Sequence, residues 1–184
     1  MSITKEIFRK NCLKKIKKNI PNKLYLDKKL NYFLYKEIKK NKNKKKILFY
    51  IPLKFEADIL ETLKKLRKKH LIFVPFMEGK SFKMVSYRLP LKKKQFNIYE
   101  AGNSYKKIKN IDIAVVPVIG IDKNFKRIGF GKGMYDRFFE KLEKKPYTIF
   151  VQTKLCYTKK EVCDDFDIDC DVIITSKGRL EKRR

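Results

Sequence analysis

The sequence predicts an α/β protein: an open, mainly parallel sheet with helices on both faces, Rossmann-like in three layers, with an N-terminal helical extension. Three observations predict it. Short apolar runs at 47–51, 71–75, 111–118, 147–151 and 171–175 are continuous rather than alternating, as in strands buried on both faces. Helical patterns lie between most of these runs. A stretch at 127–137, holding three of the seven glycines, follows one of them and leads into a helical pattern at 135–142.

Within residues 2–20, Phe8, Cys12, Ile16 and Ile20 recur at every fourth position beside Leu13, the stripe of an amphipathic helix. Ser2 or Thr4 would cap it and Pro21 would stop it. Asn22 is placed to cap a second helix, with Leu26, Leu30, Phe33, Leu34 and Ile38 inward. The lysine and asparagine run at 39–46 reads as a solvated connector. The 47–51 run ends at Pro52 as a strand. A helix over 55–69, with Ile59, Leu60, Leu63 and Leu66 inward, then a strand at 71–75, completes a right-handed βαβ unit. Strands follow at 82–87, 111–118, 147–151 and 171–175. No internal repeat or long linker interrupts the chain, so 1–184 is expected to form one α/β domain, with 1–40 packed on it as helices.

Composition narrows the class. With 43% apolar residues, including 14 Phe and 10 Tyr, the chain can bury a core. No apolar run approaches the roughly 18 residues of a membrane helix. Lys5, Arg9 and Lys10 are not followed by the apolar segment of a signal peptide, so the expected compartment is the cytoplasm. The net charge of +28 is what a nucleic-acid binder would carry. Its basicity, however, is mostly lysine spread over ordinary helix faces, whereas base-edge and bidentate phosphate readers favour arginine. An anionic small substrate would gain from the same field, so the charge alone decides little; nucleic acid is disfavoured, no membrane partner is expected, and the expected state is a monomer or weak dimer. Cys12, Cys156, Cys163 and Cys170 form no C-x-x-C pair, and one histidine argues against zinc. They are expected to be free thiols in a reducing cell. His70, between a helix and a strand, is expected to be structural.

In such a sheet ligands bind beyond the carboxyl ends of the strands, which brings 52–56, 75–80, 117–133 and 151–153 to one rim. Gly129, Gly131 and Gly133 would let backbone N–H groups approach an anion at a helix start, with Arg127, Lys132 and Arg137 as counter-charges. Two familiar phosphate motifs fail. A Walker loop needs Ser or Thr where Gly133 follows Lys132, and a dinucleotide fingerprint needs Gly or Ala at Met134. Asp136 could complement the helix dipole or hold Mg²⁺ alongside phosphates.

The run Arg127-Ile128-Gly129-Phe130-Gly131-Lys132-Gly133-Met134-Tyr135-Asp136-Arg137, followed by Phe138-Phe139, resembles the long signature of the 5-formyltetrahydrofolate cyclo-ligase (methenyltetrahydrofolate synthetase) family. The resemblance extends along nearly the whole chain. It takes in Lys5-x-x-x-Arg9, Tyr50 with Glu56-Ala57-Asp58, Val74-Pro75, Phe96-Asn97-Ile98-Tyr99-Glu100, Asp112 to Pro117 with Asp122, and Asp167 to Thr175. Departures fall at Phe130 and Met134, where the family has tyrosines, and at Ala101, Val118 and Phe166, where it has Pro, Gly and His.

The resemblance implies ATP-dependent closure of 5-formyltetrahydrofolate to 5,10-methenyltetrahydrofolate, with Mg²⁺ as cofactor and ATP as co-substrate. Carried over residue by residue, it implies ATP binding by Lys5, Arg9, Arg127, Gly129, Phe130, Gly131, Lys132, Gly133, Met134, Tyr135, Asp136 and Arg137. Folate would meet Glu56, Tyr135, Phe55 and Met77, and the metal Asp136 and Asp167. Two rival classes remain on the sequence: a basic nucleic-acid-binding protein, and an inactive scaffold that binds ATP or folate without turnover.

Overall fold

The computed structural model describes residues 4–18, 21–40, 43, 45–93, 99–104 and 108–181; Ser2, Ile20 and the 96–98 part of the resemblance lie outside them. Helix α1 (Lys5–Lys17) begins where the Ile7 N–H donates to Thr4 Oγ1 at 3.3 Å, and it buries Phe8 and Cys12. Helix α2 (Lys23–Lys39) buries Leu30, Leu34 and Ile38. Asn22 stands at its cap position without capping by its side chain. A capping side chain needs an extended backbone, and Asn22 is left-handed, with φ 59°.

The chain continues through β1 (Lys46–Leu48), α3 (Leu60–Leu66), β2 (Leu71–Glu78), β3 (Ser81–Ser86) and the short pair β4 (Lys92–Lys93) and β5 (Tyr99–Glu100). Then come β6 (Ile113–Pro117), β7 (Gly120–Ile121), β8 (Arg127–Ile128), α4 (Met134–Glu140), β9 (Tyr147–Val151), β10 (Val172–Thr175) and β11 (Gly178–Glu181). Seven strands form one sheet in the order β11-β10-β9-β6-β1-β2-β3. The five central strands are parallel, with Ile47 opposite both Ile72 and Ile113, and Val115 opposite Ile149. Both edges are antiparallel, so the sheet is mainly parallel, as expected.

Alternate residues of the central strands serve opposite faces, as the two-residue period of a strand requires. Ile47, Val115, Ile149 and Val172 join the core under α2 and α3, with Leu30, Leu34 and Leu63. Leu48, Val116, Phe150 and Ile173 join the core under α4, with Phe138. A smaller cluster of Phe8, Ile119 and Ile128 seats α1 at the rim.

Three expectations need correction. The helix expected over 55–69 covers only α3. Residues 53–56 instead close as a turn, with Glu56 N–H donating to Leu53 O and Leu53 N–H donating to Glu56 Oε2, both at 2.9 Å. The Leu60 N–H then donates to Asp58 Oδ1 at 3.0 Å, next to the true helix start. Second, the strand expected at 71–75 runs on to Glu78 and turns at Gly79, φ 57°, into β3, so Met77 lies in a strand rather than in a rim loop. Third, Cys12 and Cys156 are joined as a disulfide, not free; Cys163 and Cys170 remain thiols. The two bonded cysteines are 144 residues apart, and folding α1 onto the rim brings their Cα atoms to 5.9 Å. His70 is structural, its Nδ1 accepting the Lys45 N–H at 3.1 Å.

Candidate active site

The glycine stretch starts as a strand. β8 pairs with β7, and the Arg127 N–H donates to Ile168 O at 2.8 Å, which carries the Arg127 side chain inward. Its residue is 7% exposed, Nε donates to Pro117 O at 3.1 Å, and the guanidinium carbon lies 4.6 Å from the centre of the Tyr135 ring. Burial lowers its pKa, against the raising influence of Tyr135, Asp136, Glu56 and Asp167. Gly129 follows because nothing larger fits: a Cβ there would stand 2.3 Å from Arg127 Nη1. Arg127 thus lies beneath the loop instead of on its open side, where the sequence had put a phosphate counter-charge.

Two further arginines brace the loop. Arg9, one turn beyond Lys5 on α1, donates from Nε to Gly129 O at 2.8 Å. Arg137 donates from Nε to Lys80 O at 3.0 Å, and from Nη2 to both Lys80 O and Lys132 O, tying the loop to the β2–β3 turn. Gly133 forms the helix cap at φ 59°, and a Cβ there would be 2.7 Å from Arg137 Nη1. Gly131 and Lys132 are exposed at the turn, while Phe130 is 40% exposed and meets Phe55 edge-on at 5.4 Å. Met134 is partly buried in the core under α4.

The two candidate metal ligands meet at one residue. Asp136 Oδ1 accepts the Ile168 N–H at 3.4 Å, and Asp167 is the residue before Ile168. Asp167 Oδ2 accepts the Asp164 N–H at 2.7 Å and the Lys5 ammonium; Lys5 also reaches Asp164 Oδ2 at 2.9 Å. Burial opposes the Lys5 charge, but the hydrogen bonds from Asp167 and Asp164 outweigh it and raise its pKa. Among the described residues no group of three or more His, Cys, Asp or Glu is gathered as a metal cage.

Beside the loop opens a cavity of about 320 Å³, with Phe55, Glu56, Pro117, Gln152 and Thr153 in its wall. Burial pushes the Glu56 carboxyl up to about 7, although the Leu53 N–H and the Arg127 charge pull the other way. The structure therefore brings Glu56 and Phe55 to the cavity. Tyr135 and Met77 stand elsewhere: Tyr135 lies against Arg127 and Phe82, the latter at 5.0 Å, and Met77 packs in the same core. Burial raises the Tyr135 hydroxyl far above its usual range, with Arg127 opposing.

The sequence placed 151–153 at the rim but did not single out the rest of the far wall, which comes from the end of α1 and from residues 154–156. Its lysines are indistinguishable by spacing from the many others. The one available signal was position, since 151–153 falls at a strand's carboxyl end.

A glycine turn and a cavity carboxylate at one rim of an α/β sheet define a small-molecule enzyme of the phosphate-handling kind. The chain belongs to the 5-formyltetrahydrofolate cyclo-ligase family, whose sequence profile matches residues 5–176. It is 27% identical over 164 residues to the 5-formyltetrahydrofolate cyclo-ligase of Mycoplasma genitalium, covering 88% of this chain and 91% of that one. It is 26% identical over 149 residues to the mouse protein of the same name, covering 72% and 73%. Its fold superposes on the solved Aquifex aeolicus 5,10-methenyltetrahydrofolate synthetase with a TM-score of 0.82 at 26% identity, covering 99% of this chain and 94% of that one.

Proposed function

We infer that this chain catalyses the ATP-dependent cyclisation of 5-formyltetrahydrofolate to 5,10-methenyltetrahydrofolate, releasing ADP and phosphate. The observation that carries the reading is the braced glycine loop beside a cavity whose carboxyl is poised near neutrality. The formyl oxygen attacks the γ-phosphorus and the bond to ADP breaks. N10 of the folate then closes on the activated carbon, and phosphate leaves with the former formyl oxygen. This chemistry needs positioning and charge stabilisation more than a protein nucleophile.

Lys5, Arg9 and Lys132, with the backbone of Gly129, Phe130, Gly131 and Gly133, take the nucleotide phosphates. Met134, Tyr135 and Arg137 hold that backbone from the helix side, and Arg127 supports it from below. Glu56 binds the pterin edge, with Phe55 and Phe130 beside it. Tyr135 and Met77 act on the folate only from behind, through packing. Asp136 and Asp167 suit Mg²⁺, which needs one or two carboxylates when substrate phosphates supply other oxygens, and these two flank a single backbone amide. The metal would supply charge neutralisation at the phosphates, and Lys5 would leave Asp167 for phosphate as they arrive.

Among the described residues no helix is long and apolar enough to cross a membrane. We propose a monomer or weak dimer with ATP and folate as its partners. The test is absorbance of the methenyl product after mixing protein, 5-formyltetrahydrofolate, Mg²⁺ and ATP, with each omitted in turn. Product that requires ATP is expected. No product in the complete mixture overturns the reading, as the nucleic-acid and inactive-scaffold alternatives require.

A further inference from the structure

Residues 51–59, which carry Glu56, lie in neither helix nor strand. The bonds between Leu53 and Glu56 set the shape of the turn, but its place against the sheet is set from outside. Two buried donors do this, on consecutive carbonyls just past Glu56. The Tyr50 hydroxyl, beyond the end of β1, donates to Ala57 O at 2.7 Å. Asn31 Nδ2, from the buried face of α2, donates to Asp58 O at 2.6 Å.

The Asn31 amide is held in one orientation. Its Nδ2 also donates to Asp27 O at 2.9 Å, and its Oδ1 accepts the Thr62 N–H at 3.0 Å and the Thr62 hydroxyl at 2.7 Å. Turned over, it would set its oxygen against two carbonyls. One turn earlier on α2, Asp27 Oδ1 accepts the Thr153 hydroxyl at 2.9 Å, and Thr153 stands in the cavity wall. The polar residues on the buried face of α2 thus fasten the Glu56 turn through Asn31 and another part of the cavity wall through Asp27. Buried carbonyls need donors wherever they occur. That need alone does not account for donors from two separate elements converging on the two peptide groups that follow Glu56. Resting on the folate reading above, we propose that Tyr50 and Asn31 are positioning residues, which hold the backbone of 57–58 and so aim the Glu56 carboxyl at the pterin edge. A misplacement of about 1 Å can cost up to about a hundredfold, so the aim of this carboxyl matters as much as its presence.

The test is steady-state kinetics of the full-length protein, with folate and ATP varied separately. Tyr50→Phe deletes one oxygen and leaves the ring in the core. It is expected to raise the folate KM by at least about fivefold with the ATP KM little changed. In a Glu56→Ala background the same change is expected to raise the folate KM by less than about twofold, because a residue acting through Glu56 has nothing left to place. Asn31→Asp keeps the acceptor for Thr62, loses the donor to Asp58 O, and is expected to show the same split. Thr62→Val breaks the Asn31 bonds on the α3 side only and is expected to leave both KM values as they are. An unchanged folate KM in Tyr50→Phe, an equal rise in both KM values, a full effect without Glu56, or a folate-selective rise in Thr62→Val each overturns the proposal and leaves the cyclo-ligase reading intact. The Tyr50 comparisons decide it even where Asn31→Asp does not fold. A wild type that makes no methenyl product overturns both.

Discussion

On the glycine-loop side of the rim, Arg9, Arg127 and Arg137 all donate to main-chain carbonyls: Gly129 O, Pro117 O, and Lys80 O with Lys132 O. On the cavity side, Lys15, Lys18 and Lys154 stand exposed, without such partners among the described residues. The first region has its cations built into the backbone it shapes, so its geometry is set before a ligand arrives. The second is a largely apolar wall with exposed charges around it. Phosphoryl transfer demands fixed donors aimed at developing charge, whereas exposed lysines offer a ligand only screened attraction. The two sides of the rim therefore use positive charge in different ways.

The comparison can be broken at graded points. Asp136→Ala removes one of the two proposed metal ligands and is expected to lower kcat about a thousandfold, on the scale of losing one transition-state contact, with the fold retained. Steady-state rates at varied Mg²⁺ and thermal unfolding check this, and near-wild-type turnover removes Asp136 from metal binding. Gly129→Ala drives a Cβ into Arg127 Nη1 and forces a buried cation to move. We expect about a hundredfold loss in kcat/KM and roughly 1–3 kcal/mol of stability, read by kinetics and denaturant unfolding. An equally stable, active variant means the loop is not set by Arg127.

Glu56→Gln is expected to raise the folate KM about tenfold and the ATP KM little, as loss of a charge-assisted hydrogen bond would. Equal loss for both substrates places Glu56 in general folding instead. The same variant has a pH signature. The Glu56 carboxyl sits at about 7 in the folded protein against its ordinary 4.5, so the folded state holds its proton more tightly. Stability from this group is full below about 4.5 and is lost as pH rises through about 7, amounting to about 3 kcal/mol. Unfolding free energies should therefore fall over that window in the wild type relative to Glu56→Gln, and parallel curves count against it. Lys132→Ala, at an exposed turn, is expected to raise the ATP KM only about threefold. A loss as large as that of Gly129→Ala would mean that the loop depends on single exposed charges.

The long strands were legible because a strand buried on both faces has no room for polar residues, and 113–117 and 147–151 have almost none. The pairs β4–β5 and β7–β8 were not, because two-residue strands carry no period. Without β8 the inward turn of Arg127 could not be foreseen, and its charge together with the family signature made it a phosphate counter-charge. The glycines, by contrast, were legible as a motif though not as a mechanism. Gly129 is set by the guanidinium packed under it, and Gly133 by a left-handed cap. The start of α3 was misplaced because Phe55 and Glu56 fit a helical stripe, while the Glu56 carboxylate closes a turn with Leu53. That one error concerned the residue on which the folate reading most depends. The cysteine pair was beyond sequence spacing altogether, since contact between chain positions so distant is a property of the finished fold.

That pair has a topological consequence. The Cys12–Cys156 bond makes a covalent ring of most of the chain, from α1 through β9. A protease cut anywhere inside the ring leaves one molecule with two new ends rather than two fragments, and the pieces separate only after reduction. The same ring deprives the unfolded chain of much of its freedom, worth about 4–5 kcal/mol for a loop of more than a hundred residues on the chain-entropy estimate. Helix α1, which carries Lys5 and Arg9, therefore cannot drift away as an independently fraying terminus. Its ends can loosen, but its middle stays fastened to the rim that it serves.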